Sequence, residues 1–113
     1  MSVSYFVRYE VSTGDVPGFV ERYRSRHVPI LARWPGVRRV VLHTQADWND
    51  PFAITRGAAV LLVQVEFDTE VALRKALFSP ERTEARMDFQ SFPAFNGTVT
   101  HQAMASEEVW RKQ

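Results

Sequence analysis

The sequence predicts an α+β domain of ferredoxin-like type, β-α-β-β-α-β with an antiparallel four-stranded sheet, that pairs with a copy of itself. Three observations carry this reading. Four segments read as strands, three by two-residue alternation and one as a nearly continuous apolar run, and two regions show helical spacing. Their order along the chain is that of the split βαβ arrangement. The first and third strands carry apolar residues on both faces, whereas the helices of such a domain cover only one. An apolar face left bare needs a partner, and a second copy is the simplest one. The length of 113 residues suits one domain, 1-113, with one core. A chain this small buries only about two-thirds of its unfolded surface, so pairing adds burial that it lacks alone.

The elements follow in order. Val3 to Val11 alternates, with Tyr5, Val7, Tyr9 and Val11 on one side and Phe6, Arg8 and Glu10 on the other, as in a strand. Ser12-Thr13-Gly14-Asp15 is a turn that ends on a helix-capping residue. Val16, Phe19, Val20, Tyr23, His27, Ile30 and Leu31 then form one helical stripe, with Glu21, Arg22, Arg24 and Ser25 opposite. Pro29 has no N–H to donate and crowds the residue before it. This predicts a kink near His27 and Val28, with loosened carbonyls, and an end at Trp34-Pro35-Gly36. Val37 to Gln45 is a second strand, with Val40 and Leu42 on one face and Val41 and His43 on the other. Ala46 to Gly57 is a long connection carrying Trp48, Phe52 and Ile54. Ala58 to Phe67 is apolar nearly throughout and predicts a strand buried on both faces. Asp68 or Thr69 caps a helix to Phe78. Ser79-Pro80-Glu81 starts another, running through Asp88 to Phe92. Asn96 to Ala105 is the fourth strand, with Val99, His101 and Ala103 on one side.

Composition excludes several classes of function. Fourteen basic and thirteen acidic residues leave a net charge of +1, which does not support binding to a nucleic-acid backbone. With no cysteine, disulfides, thiolate nucleophiles and Cys-based metal sites are out. Met1 to Tyr9 has no basic n-region or long apolar run, so no signal peptide is expected. No segment suits a membrane span, and the expected location is the cytoplasm. The five glycines are scattered at turns and make no phosphate cradle, and Gly-x-Ser-x-Gly is absent.

The stretch Tyr23-Arg24-Ser25-Arg26-His27-Val28-Pro29-Ile30-Leu31, followed by Trp34-Pro35-Gly36-Val37, resembles the EthD family of dimeric α+β barrel proteins. Ser79-Pro80-Glu81 and Asp88-Phe89 are similar to that family's second helical region. The resemblance implies a homodimer with a pocket between helix and sheet in each subunit, and it maps the family's His-x-Pro onto His27 and Pro29. Related proteins include methylmuconolactone isomerases, polyketide cyclases, cofactor-free monooxygenases and haem-handling proteins. No single reaction follows, because one fold hosts many functions.

Seven residues are candidates for a site. His27, on the apolar helical stripe, is a general acid or base near neutral pH, or else a core histidine bonded to a carbonyl freed by the proline. Tyr23, four residues earlier, reaches the same ring and orients it or binds a ligand oxygen, or else is a plain core aromatic. Arg8 alternates with apolar residues on a central strand. It anchors an acidic or carbonyl-bearing ligand, or pairs across the sheet. His43 and His101 share the pocket with His27 only if strand register brings them there. Their spacing matches no metal-ligand signature, and no metal or cofactor is expected. Asp88 is a ligand contact or a helix-surface carboxylate. Trp48, with Phe52 and Ile54, forms an apolar lid or packs on the dimer mate. The expected activity is proton transfer on an apolar cyclic carbonyl or lactone compound, of isomerase or cyclase type, without a cofactor. The alternatives are a non-catalytic carrier of a hydrophobic metabolite or haem, or a cofactor-free monooxygenase.

Overall fold

A computed structural model describes residues 1–113. The strands are β1 (Ser2–Ser12), β2 (Val37–Thr44), β3 (Leu61–Phe67) and β4 (Asn96–Ser106). They form one antiparallel sheet in the order β2-β3-β1-β4, the ferredoxin-like arrangement. The helices are α1 (Val16–Arg22), α2 (Val28–Leu31), α3 (Glu70–Leu77) and α4 (Pro80–Phe89). No helix is long and apolar enough to cross a membrane.

Short polar side chains start the longer helices. Asp15 accepts from the Gly18 amide at 3.0 Å, Thr69 from Ala72 at 3.1 Å and Ser79 from Arg82 at 3.2 Å. Each satisfies an amide that has no partner within its helix. Gly97 sits at φ +124°, and a Cβ there would lie 2.2 Å from the Glu10 carbonyl oxygen. Only glycine lets β4 begin so close to β1.

The first helical region departs from the expected kink. Tyr23–His27 forms a π-helical turn between α1 and α2, and the Val28 amide reaches back five residues to the Tyr23 carbonyl. The chain therefore absorbs Pro29 by widening one turn upstream, and the proline sits in the first turn of α2, where its missing N–H costs least.

Alternation on the strands sets the core. Tyr5, Val7, Tyr9 and Val11 of β1 face the helices, beside Leu61, Val63, Val65 and Phe67 of β3, all four of the latter fully buried. Phe19, Tyr23, Ile30, Leu31, Leu73 and Ala85 close over them. Each fully buried side chain of this size contributes about 1.5–3 kcal/mol.

The third strand corrects the sequence reading twice. It begins at Leu61 rather than Ala58, and only its odd-numbered residues are buried. Leu62, Gln64 and Glu66 are half-exposed on the uncovered face. That face also carries Phe6, Arg8, Val41, His43 and Met104. The molecule is consequently a slab, 44 × 43 × 21 Å, one sheet and one helical layer thick. The last helix also stops earlier than expected, at Phe89, with a turn leading to Phe92.

Candidate functional site

A narrow cleft, with about 30 Å³ of free space, lies between the helix-facing side of β1 and β4 and the helical layer. Its wall is mostly aromatic and aliphatic, with His27, His101, Arg82 and Arg86 as the polar exceptions. A concave, mostly apolar site with a few convergent polar groups is what small-molecule recognition requires.

His27 is buried on the π-helical turn, with its ring 4.7 Å from Tyr23 and 5.0 Å from Phe92. Its Nδ1 lies 2.8 Å from Asp88 Oδ2. The same carboxylate accepts from both terminal nitrogens of Arg22, at 3.1 and 3.2 Å. Burial pushes the His27 imidazole below its ordinary value, outweighing the opposing pull of Asp88. Burial alone would raise the Asp88 carboxyl, but the hydrogen bonds from Arg22 and His27 prevail and hold it below the usual carboxylate value. At neutral pH the ring is therefore uncharged, with Nδ1–H donated to Asp88. That tautomer leaves a lone pair on Nε2, the nitrogen remaining to act as a base. Asp88 fixes the orientation of the ring, and Arg22 fixes Asp88.

A second polar group lies on the same cleft. Tyr5 Oη is 2.7 Å from His101 Nδ1 and accepts from Arg82 at 3.2 Å. Burial, followed by the charges of Arg86 and Arg82, lowers His101. A neutral His101 accepts the Tyr5 proton, and Arg82 supplies a cation next to the phenol oxygen. Neither Arg82 nor Arg86 has a carboxylate partner. Burial also pushes the Tyr9 phenol up to about 12, and Tyr23 well above its ordinary value, so both remain donors.

The structure brings four of the seven candidates together: His27, Tyr23 and His101 line the cleft, and Asp88 backs His27. It does not bring in the other three. Arg8 points to the uncovered face of the sheet, half-exposed and 3.4 Å from Glu10, because it has the opposite parity to Tyr5 and Val7. His43 is paired with Leu62 across β2 and β3 and contacts Gln64 at 3.1 Å, also on the uncovered face. Trp48 lies beneath the Arg56 guanidinium, 4.3 Å from it, in a separate surface hollow shared with Arg8. Phe52 and Ile54 of the same loop are exposed and do not close over His27. The three histidines thus do not converge.

The sequence reading missed Arg22, Arg82, Arg86, Tyr5 and Trp34. Arg82 and Arg86 stand four apart on one helix and so share a face, a spacing readable in advance. Tyr5 already had the parity of the covered face. Nothing in the sequence pairs Arg22 with Asp88, since that contact spans 66 positions.

No protein-family model matches the chain. An uncharacterized 11.0 kDa protein from the thcB-thcC intergenic region of Rhodococcus erythropolis is 32% identical over 88 residues, covering 76% of this chain and 78% of that protein. Among solved structures, an EthD family protein from Bacillus halodurans superposes with a TM-score of 0.74 at 20% identity, over 95% of this chain and 100% of its own. SnoaB, a cofactor-independent oxygenase from Streptomyces nogalater, gives 0.65 at 18% identity over 98% of each chain. A dimeric ferredoxin-like protein of unknown function from Thermobifida fusca gives 0.61 at 14% identity, over 94% of this chain and 92% of its own. The chain belongs to one family with the Rhodococcus protein, and its fold is that of the EthD protein and of dimeric ferredoxin-like proteins.

Proposed function

We propose that this family member is a small cofactor-independent enzyme that moves a proton on an apolar cyclic carbonyl or lactone compound, as an isomerase or cyclase does. The observation that carries this reading is a neutral histidine in an aromatic cleft, oriented by a carboxylate that is itself held by an arginine. His27 Nε2 takes a proton from a carbon next to the ligand's carbonyl, and the C–H electron pair moves into an enolate. The positive charge of Arg82, relayed through Tyr5 to His101, whose Nε2 carries the remaining N–H, offsets the new charge. Tyr23, kept protonated, packs against the His27 ring and offers a hydrogen bond to the ligand. Return of the proton at another carbon gives isomerisation. Attack of the enolate carbon on a second carbonyl gives ring closure.

The fold likeness to SnoaB favours one second reading, in which the same enolate meets molecular oxygen instead. In either case the working unit is a homodimer. Phe6, Leu62 and Met104 on the uncovered face supply the apolar surface for it, and the fold's dimeric relatives support it.

The test is a panel of ring lactones, polycyclic aromatic ketones, phenols and haem, screened by thermal shift and then for turnover. A ligand at about a hundred times its dissociation constant stabilises the native state by about 2.7 kcal/mol. For a compound that is converted, His27→Ala lowers kcat by about 10²–10⁴-fold. The wild-type kcat/KM rises with pH through an inflection below the ordinary histidine value and is flat above it. Full turnover by His27→Ala overturns the assignment. Binding without conversion, indifferent to His27→Phe, identifies a carrier of a hydrophobic metabolite or haem.

A further inference from the structure

Most arginines of the chain are paired with a carboxylate, and Arg26, Arg56, Arg82 and Arg86 are the ones that are not. Arg26 is exposed, and Arg56 is taken up by the ring and the carbonyl of Trp48. Arg82 and Arg86 differ from these two. They stand one turn apart on one face of α4, and both line the cleft. Arg82 is half-buried and Arg86 is exposed, while Ala85 beside them is buried. The pair therefore sits at the rim, where the cleft meets solvent.

The acids of α4 are engaged elsewhere. Glu84 pairs with Arg33, and Asp88 with Arg22 and His27. Glu81 acts on Arg33 as well. Two like charges four residues apart on a helix repel, and no carboxylate of the chain offsets them. Both charges bear on His101, whose imidazole they lower together with burial, so they meet beside that ring. Arg82 donates to Tyr5 Oη at 3.2 Å and to the Leu77 carbonyl at 3.4 Å, which leaves most of its N–H groups free. Arg86 lies over the Phe89 ring, 5.2 Å from its centre.

We propose that Arg82 and Arg86 form a binding site for the carboxylate of a ring-bearing acid, held at the rim of the cleft beside His101. A planar guanidinium presents parallel N–H groups spaced as the two oxygens of a carboxylate are. The apolar neighbours Tyr5, Phe89 and Val99 select an acid with a ring over a bare inorganic anion. The rim also suits the room available. The space inside, about 30 Å³, takes little more than a water, and an acid group at the exposed rim does not have to enter it. This rests on reading the cleft as the ligand site. It narrows the substrate of the proposed proton transfer to carbonyl compounds or lactones that carry an acid group.

The experiment titrates the full chain with benzoate and with benzamide, which has the same ring and no charge. Arginine Nε–H resonances are followed by ¹H–¹⁵N NMR at mildly acidic pH. Arg82→Gln, Arg86→Gln and Arg26→Gln identify three of the signals by their disappearance. Benzoate is expected to move the Arg82 and Arg86 signals together and to leave Arg26 in place, whereas benzamide moves none of them. Arg86 is exposed, so its substitution does not disturb the core. Arg86→Gln is expected to weaken benzoate binding about tenfold, and Arg26→Gln to leave it unchanged. Arg86→Lys recovers only part of the loss, because the charge returns without the fork.

The proposal falls if benzoate does not bind, if it binds no more tightly than benzamide, if Arg86→Gln keeps its affinity, or if Arg26 responds equally. Inorganic phosphate binding as tightly as benzoate also overturns it, since the site is then indifferent to the ring. No turnover is measured, so failure of the His27 chemistry is distinguishable. In that case benzoate still binds to His27→Ala and moves the same two signals. If the rim site alone fails, a neutral ketone or lactone is still converted in a His27-dependent way.

Discussion

The two faces of the sheet are built from alternate residues of the same four strands, yet they differ in kind. On the helix side, Val63, Val65 and Phe67 are completely buried and the polar groups are few and directed. On the other side, Leu62, Gln64 and Glu66 of the same strand are half-exposed. There a chain of hydrogen bonds runs from His43 through Gln64 to Ser4, at 3.1 Å for each link, and Arg39 pairs with Glu66 at 3.2 Å. One face is finished within a single chain. The other is a mosaic of apolar and polar groups that no helix of the chain covers. Parity along a strand thus decides which residues can share a site, and one step in sequence separates Val7, on the cleft, from Arg8, which cannot reach it.

The sharpest way to break this comparison is to cut one residue on each face. Phe67→Ala is expected to cost about 3–5 kcal/mol, read by chemical denaturation at fixed protein concentration. Leu62→Ala costs clearly less in the isolated chain, and equal costs would mean that the two faces do not differ as described. The companion variant, Leu62→Glu, is expected to leave the chain folded and to separate the proposed dimer, read by analytical ultracentrifugation. A dimer unaffected by this charge would place the contact elsewhere.

Asp88→Asn comes next in size. It leaves Arg22 without its carboxylate and keeps one acceptor oxygen where two stood, for which Arg22 and His27 Nδ1–H then compete. A loss of about 1–3 kcal/mol is expected, together with a fall in any His27-dependent turnover. The pH dependence of stability sharpens the same point. His27 and His101 are both depressed in the fold, so the unfolded chain binds protons first. Stability is flat above the ordinary histidine value of 6.5 and falls as pH drops through the lower folded values. His27→Gln is expected to flatten part of that fall in urea midpoints measured across the range. The smallest effect belongs to the uncovered face. The Arg8–Glu10 pair is nearly half-exposed on both sides, and Arg8→Gln is expected to cost less than about 0.5 kcal/mol.

Much of this was legible in the chain. The element order, the caps at Asp15, Thr69 and Ser79, and the parity of β1 all follow from local rules that neighbouring residues obey. The candidate site was legible where it depended on one helix, as with Tyr23 and His27. It was not legible where it depended on register. His43 and His101 are alike as strand residues, and only the pairing of His43 with Leu62 and of His101 with Val7 sends them to opposite faces. Arg8 was a different case, because its own alternation already placed it away from the helices. Trp34 read only as part of the turn that ends the first helical region, and its place in the cleft wall depends on packing that a turn motif does not encode.

The π-helical turn at Tyr23–His27 has a consequence for how this segment can change over evolutionary time. A residue added to or removed from an α-helix turns everything beyond it by about 100°. Here the widened turn takes up one surplus residue, and buried residues before it (Phe19, Val20) and after it (Ile30, Leu31) are directed at the same sheet. Deleting one residue between Tyr23 and His27 would close the turn to the ordinary pitch and leave Ile30 and Leu31 on the core, while altering the spacing that sets Tyr23 against His27. The turn is therefore the one place in this region where the length can change by a residue, and alignments of relatives should show a one-residue gap within it and none in the helices on either side.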